Sequence, residues 1–200
     1  MYVIFMTDPI EWDESTQNGI LDIKKRVDAF RPSPEFPDDY YGHIAVLEAY
    51  EALIHGNFGI GAILVNKSSG NVILKGHNSV FYPFFRSDLH AEMTLLTEYE
   101  NFMKGRTGEI YKDIVLYTSL EPCPMCLTRI LISGISEVHY IATDSKGGMV
   151  SAMDKYPGIW QDFRKDKIIK KSVCSAELEL LAFDIFALTG QLLDNKLKEK

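Results

Sequence analysis

Two groups of reactive side chains, His90-Ala91-Glu92 and Pro122-Cys123-Pro124-Met125-Cys126, are separated by residues 93–121. They make one site only if the chain folds them together, which no single helix or hairpin does. A fold alternating strands with helices does, because its crossovers deliver successive helix starts to the same end of a sheet. The spacing within each group sharpens the demand. His90 and Glu92 lie two apart, so in a helix interior they would face different sides. They share a site only from a first turn, and Ser87 or Asp88 is placed to cap a helix starting there. Cys123 and Cys126, three apart, reach one point from a single turn.

The surrounding residues supply the alternation. Val46-Leu47, Tyr50 and Leu53-Ile54 form a helical stripe, and Gly59–Val65 and Val72–Leu74 read as strands joined by a Ser68-Ser69-Gly70-Asn71 turn. Leu89, Met93, Leu96 and Met103 mark one helix face. Ile114–Thr118 is a strand, Met125–Ile132 a helix stopped at Ser133-Gly134, and Val138–Ala142 a further strand. Beyond Asp144, a loop carrying Met149, Tyr156, Trp160 and Phe163 leads to a short strand near Ile168-Ile169. A last helix runs from Ala176 to Leu193, with Ser175 as its cap. Residues 1–38 read as an N-terminal extension with a helix at Ile20–Phe30, closed by Pro32, Pro34 and Pro37. Whether it packs on the core or on a partner stays open, and residues 39–200 form the expected domain.

A chain of 200 residues holds one well-buried core, and 46% apolar with 24% charged residues argues against disorder. The net charge of −7 offers no general positive field to a polyphosphate partner. The lysine clusters at 165–171 and 196–200 are interrupted by acidic or apolar residues. Three cysteines, two within one turn, make no disulfide framework. The start Met1–Met6 is too short and uncharged for a signal peptide, and no apolar run has the length of a membrane span. The cytoplasm is the expected location.

At a strand-to-helix junction, free amides and the helix dipole favour the thiolates of Cys123 and Cys126. Taken alone, the C-x-x-C pair also fits a redox protein. With His90 the set becomes two thiolates and one imidazole, which leave tetrahedral Zn2+ one open position for water. Glu92, beside the metal and not on it, suits proton transfer. Pro122 is expected to set the backbone where the helix is entered. His77 reads as a hydrogen-bonding or surface residue, His43, His55 and His139 as surface residues, and Cys174 as a packing thiol.

The ordered set H-x-E … P-C-x-x-C, preceded by Gly76-His77-Asn78 and by Thr118-Ser119-Leu120-Glu121, resembles the cytidine deaminase superfamily. The resemblance lies in the branch of guanine deaminase, bacterial tRNA adenosine deaminase and fungal cytosine deaminase, and covers roughly Asp39–Ala142. It implies an α/β fold, a three-layer α/β/α sandwich with a central mixed five-stranded sheet. It implies zinc on His90, Cys123 and Cys126, proton transfer by Glu92, and substrate contacts from Asn78 and the Ala91 amide. The implied reaction is hydrolytic: metal-activated water attacks the amino-bearing ring carbon and ammonia leaves. Phe81 and Phe84 are candidates to stack on a flat ring, as is Trp160, while Glu121 reads as structural. The acidic balance favours a small base or nucleoside, guanine or guanosine first, over tRNA, which draws affinity from phosphate contacts. Cytosine or another heterocycle is the alternative. Related enzymes imply a homodimer.

Overall fold

Strand β1 (Gly61–Asn66) is apolar on both faces: Ile63 and Val65 enter one core, Ala62 and Leu64 another. β3 (Ile114–Leu120) is likewise buried along its whole length. Such strands need cover on two sides. One layer consists of α1 (Glu14–Ala29), α2 (Asp39–Ile54) and α6 (Ala176–Lys198); the other contains α3 (Ala91–Phe102), α4 (Pro124–Ile132) and the short α5 (Gly158–Arg164). The result is a three-layer α/β/α sandwich. This computed structural model describes residues 10–104 and 113–199; the apolar start, Asp8 and Lys200 lie outside the described residues.

The sheet is mixed and five-stranded. With β2 (Val72–His77), β4 (Glu137–Ala142) and β5 (Ile168–Lys171), its order is β2-β1-β3-β4-β5. β1 runs antiparallel to β2 and β3, whereas β3, β4 and β5 are mutually parallel. The β1–β2 turn closes where Gly70 adopts φ +70° and the Asn66 side chain accepts from the Ser69 amide at 2.8 Å. Gly61 is required for another reason. A Cβ there would stand 2.3 Å from Ala45 O and Ala49 N, so α2 crosses β1 in direct backbone contact.

α1 is longer than its apolar stripe indicates, because Asp13 caps it by accepting from the Thr16 amide at 2.7 Å. Its Ile23 and Val27, with Phe30 just beyond, pack in the same core as α2 and α6, and Arg26 pairs with Asp184 at 2.8 Å. Asp38 and Asp39 tie this layer to the β5–α6 connection: Asp38 accepts from the Val173 amide at 2.6 Å and Asp39 from the Ser175 amide at 2.7 Å. Ser175 in turn caps α6, accepting from the Leu178 amide. His139 is a correction to the sequence reading. It is not a surface residue but lies 6% exposed on a strand flanked by β3 and β5, its ring between Asp38 (3.3 Å) and Glu137 (2.9 Å). His43, half-buried against Phe30, is likewise no surface residue. Cys174 is a free thiol packed on the core, as read. No helix among the described residues is long and apolar enough to cross a membrane.

Candidate active site

In a parallel arrangement, helices that follow strands begin at the strands' C-terminal ends, where open α/β sheets carry their ligands. α4 starts there directly after β3, and α3 starts beside it. His90 is the N-cap residue of α3, in extended conformation (φ −73°, ψ 154°), and makes no capping bond through its ring. The ring is thereby left for the site, with Glu92 at the second helical position. Ser87 and Asp88 were expected as caps, yet the helix begins only at Ala91 and Asp88 pairs with Arg86 at 3.0 Å. Cys123 is the N-cap residue of α4 and Pro124 supplies the preset φ of the first turn. Pro122 does not take that part; its carbonyl accepts from the Met149 amide at 2.9 Å.

These helix starts bring His90, Cys123 and Cys126 together, with their ligand atoms all within 4.8 Å of one another. Both sulfurs lie 3.6 Å from His90 Nδ1. Zn–S and Zn–N bonds of about 2.3 and 2.0 Å at tetrahedral angles place sulfur and nitrogen roughly 3.5 Å apart, so the triad fits zinc. Glu92 is 3% exposed. Its Oε1 accepts from Thr118 Oγ1 and its Oε2 from Cys126 Sγ, each at 3.3 Å. His77 lies apart from the triad, bonded to Glu48 at 3.1 Å.

The electrostatics suit a cation. The Cys126 hydrogen bond, helped by His90, pulls the Cys123 thiol down to about 4 against the effect of burial. Cys126 moves up, through that same bond with Cys123 and through burial. Burial disfavours charge on His90, but the neighbouring Cys123 outweighs it and raises the imidazole. Glu92 is raised by burial first and by Cys123 second. A carboxyl held out of water and raised in this way is a stronger proton acceptor than a solvated one, which suits a proton-transfer role.

A cavity of about 180 Å³ opens on this group. Phe58, Ile60, Leu120, Phe186 and Leu197 make its apolar wall, and Glu121, Asp144 and Asp194 add carboxylates. Glu121 is structural, as read: its carboxylate accepts from the amides of Asp144 (3.2 Å) and Ser151 (2.9 Å) and so pins the loop after β4. Asn78 is fully buried; its Oδ1 accepts from the Val80 amide at 3.1 Å, while Nδ2 has no partner among the described residues. Ala91 is buried at the first turn of α3.

None of the five expected substrate contacts is in the cavity wall: Asn78 and Ala91 are fully buried outside it, and the three aromatics lie elsewhere. Phe81 is buried behind it, 5.7 Å from the ring of Phe58, and so supports the aromatic that does line it. Phe84 lies in the same loop without reaching the wall. Trp160 packs with Tyr156 and Phe163 around α5, on the α3–α4 side of the sheet. Conversely, Phe58, Phe186, Asp194 and Leu197 escaped the sequence reading. Phe58 precedes β1 unmarked by any motif, and the α6 residues read as one more amphipathic helix.

Comparison with known proteins fits this geometry. The profile of the cytidine and deoxycytidylate deaminase zinc-binding region matches residues 37–142, over half of the chain. The chain belongs to this family of zinc-dependent hydrolytic deaminases. It is 36% identical over 111 residues to a tRNA-specific adenosine deaminase of Bacillus subtilis, a match spanning 56% of this chain and 65% of that protein. For the Aquifex aeolicus tRNA-specific adenosine deaminase the figures are 34% over 117 residues, 58% of this chain and 74% of the relative. A Candida albicans cytosine deaminase is 36% identical over 103 residues, covering 50% of this chain and 64% of that one. Among solved structures, guanine deaminase from Nitrosomonas europaea superposes with TM-score 0.58 at 18% identity, covering 91% of this chain and 98% of that chain. A tRNA:A34 deaminase superposes with TM-score 0.56 at 24% identity, covering 68% and 99%. At these identities the two structures share the fold.

Proposed function

We propose that the protein hydrolyses the exocyclic amino group of a small nucleobase or nucleoside, with guanine or guanosine as the first candidate, and releases ammonia. The observation that carries this reading is the wall of the cavity. It pairs apolar side chains with carboxylates and, among the described residues, includes no lysine or arginine. A flat neutral ring gains from Phe58 and Phe186. A phosphate in the same place meets Asp144 and Asp194 and is repelled.

His90, Cys123 and Cys126 would hold a zinc ion, which would supply Lewis-acid activation of a water at neutral pH. The protein's own part is positional. Thr118 holds the Glu92 carboxyl in the cavity wall, where it takes a proton from the attacking water and delivers it to the ring nitrogen, then carries that water's second proton to the departing amine. The apolar wall excludes bulk water from the reacting atoms.

A second reading, adenosine-to-inosine deamination in tRNA, is favoured by the names and identities of the Bacillus and Aquifex relatives. An ammonia-release screen separates the two. Zinc-loaded protein is offered guanine, adenine and cytosine, their nucleosides, and an anticodon stem-loop carrying adenosine at the wobble position. Release from a free base or nucleoside supports the small-substrate reading. Release from the stem-loop alone overturns it.

A further inference from the structure

Beside the metal-site cavity lies a second one, of about 330 Å³, between the loop after β4 and the C-terminal half of α6. Asp144, Phe186 and Asp194 line both. The two differ in character. The inner one sets hydrocarbon and aromatic groups with the carboxylates of Glu121, Asp144 and Asp194 around the reactive triad, whereas the outer one adds the Ser145 hydroxyl, the Lys146 ammonium and the Gln191 amide. A flat ring seated against the triad would therefore project any substituent into a polar compartment.

Asp194 stands at the junction. It follows buried Leu193 on α6 and precedes the cavity-lining Leu197, so the helix holds its Cα in a defined place. Its carboxylate enters no hydrogen bond or ion pair among the described residues, whereas Asp144 spends one oxygen on the amides of Lys146 (3.0 Å) and Gly147 (2.9 Å). An unengaged carboxylate beside a base-sized space is suited to accept hydrogen bonds from a vicinal diol, as an acidic side chain does from ribose in dinucleotide-binding folds. Two carboxylates against the single Lys146 make the same space unfavourable for a phosphate.

We propose that the outer cavity seats the ribose of a ribonucleoside, with Asp194 accepting from its hydroxyls, so that the substrate is a neutral nucleoside and neither the free base nor the 5′-phosphate. This rests on reading the metal site as a deaminase of small bases and nucleosides.

The test compares kcat/KM of the zinc-loaded full chain on guanine, adenine and cytosine. Each is offered as free base, ribonucleoside, 2′,3′-dideoxynucleoside and ribonucleoside 5′-monophosphate. The ribonucleoside is expected to exceed the other three forms by roughly tenfold or more, mainly through KM, the size of a charge-assisted hydrogen bond. Asp194→Asn shrinks the ribo-to-dideoxy ratio by about the same factor, and Asp194→Glu restores part of it. Asp194 is exposed, so the variant is expected to fold; if it does not, Gln191→Leu tests the same ratio from the same wall. A free base or dideoxynucleoside turned over as well as the ribonucleoside overturns the proposal and leaves the parent reading standing. So does a ratio untouched by both substitutions, or a preference for the monophosphate. No turnover of any base or nucleoside overturns the parent reading and this one together.

Discussion

Replacing Glu92 by glutamine separates the proton-transfer role from everything else this side chain does. Glu92 is 3% exposed, accepting from Thr118 at 3.3 Å and from Cys126 at 3.3 Å. Glutamine has the same shape: its oxygen keeps the Thr118 bond and its amide donates toward the Cys126 sulfur. Nothing is overpacked and no cavity forms, so stability should change by no more than about 1 kcal/mol. The metal triad is untouched. The group that changes protonation is lost, and such groups contribute about 10²- to 10⁴-fold in rate. At about 1.36 kcal/mol per decade this is roughly 3–5 kcal/mol of barrier. The assay is coupled ammonia release by zinc-loaded wild type and Glu92→Gln on the best substrate of the screen, with metal content and a thermal melt on the same samples. A fall in kcat of that size at unchanged zinc and melting temperature is expected. Retention of more than a tenth of kcat would refute the role, and zinc lost in step with activity would make Glu92 a ligand instead.

Four further outcomes follow from the same structure. Asp38→Ala strands the buried Tyr117 hydroxyl and His139 ring and frees the Val173 amide, and should cost about 3–5 kcal/mol in urea unfolding. Burial works against the Asp38 charge, but His139 and the Val173 amide hold its pKa below the ordinary range. Its contribution is therefore complete above an unfolded value of about 3.9 and is lost as pH falls through the lower folded value, a slope that Asp38→Asn should remove. Gly61→Ala drives a Cβ into the α2 backbone and should destabilise by about 3 kcal/mol or more, read as a drop in urea midpoint. Glu121→Ala releases the amides of Asp144 and Ser151, so hydrogen exchange there should accelerate by roughly tenfold or more while the sheet amides keep their protection. Stripping zinc with a chelator should lower the melting temperature of the wild type, with recovery on adding zinc, and Cys126→Ala should bind less than one equivalent under the same conditions.

Much of the site was legible because its rules are local. The His90–Glu92 spacing demands a first turn whatever surrounds it, and the structure places His90 at an N-cap. The C-x-x-C spacing does the same for α4, and Ser175 ahead of its acidic turn marks the start of α6. Reading failed where several residues satisfied one rule. Pro122 and Pro124 both suit a helix entry, and only the observed backbone assigns the first turn to Pro124. Phe81 stands close to the motif and Phe58 far from it in sequence, yet their packing order puts Phe58 in the wall and Phe81 behind it. His139 on β4 looks outward or inward with equal ease in a strand pattern, until two neighbouring strands and Asp38 enclose it.

The chain's sequence alone determined the reactive inventory: one imidazole and two thiols that suit a metal, and one carboxyl beside them, each at a helix start. Those properties depend on spacings of two or three residues, which backbone geometry converts into direction without reference to the rest of the fold. Tertiary structure alone decided what can enter. The cavity wall joins Phe58 ahead of β1, Leu120 at the end of β3, Asp144 after β4, and Phe186, Asp194 and Leu197 on α6. The amphipathic pattern of α6 states that one face is buried, and only its docking across the sheet makes part of that face the roof over the metal site.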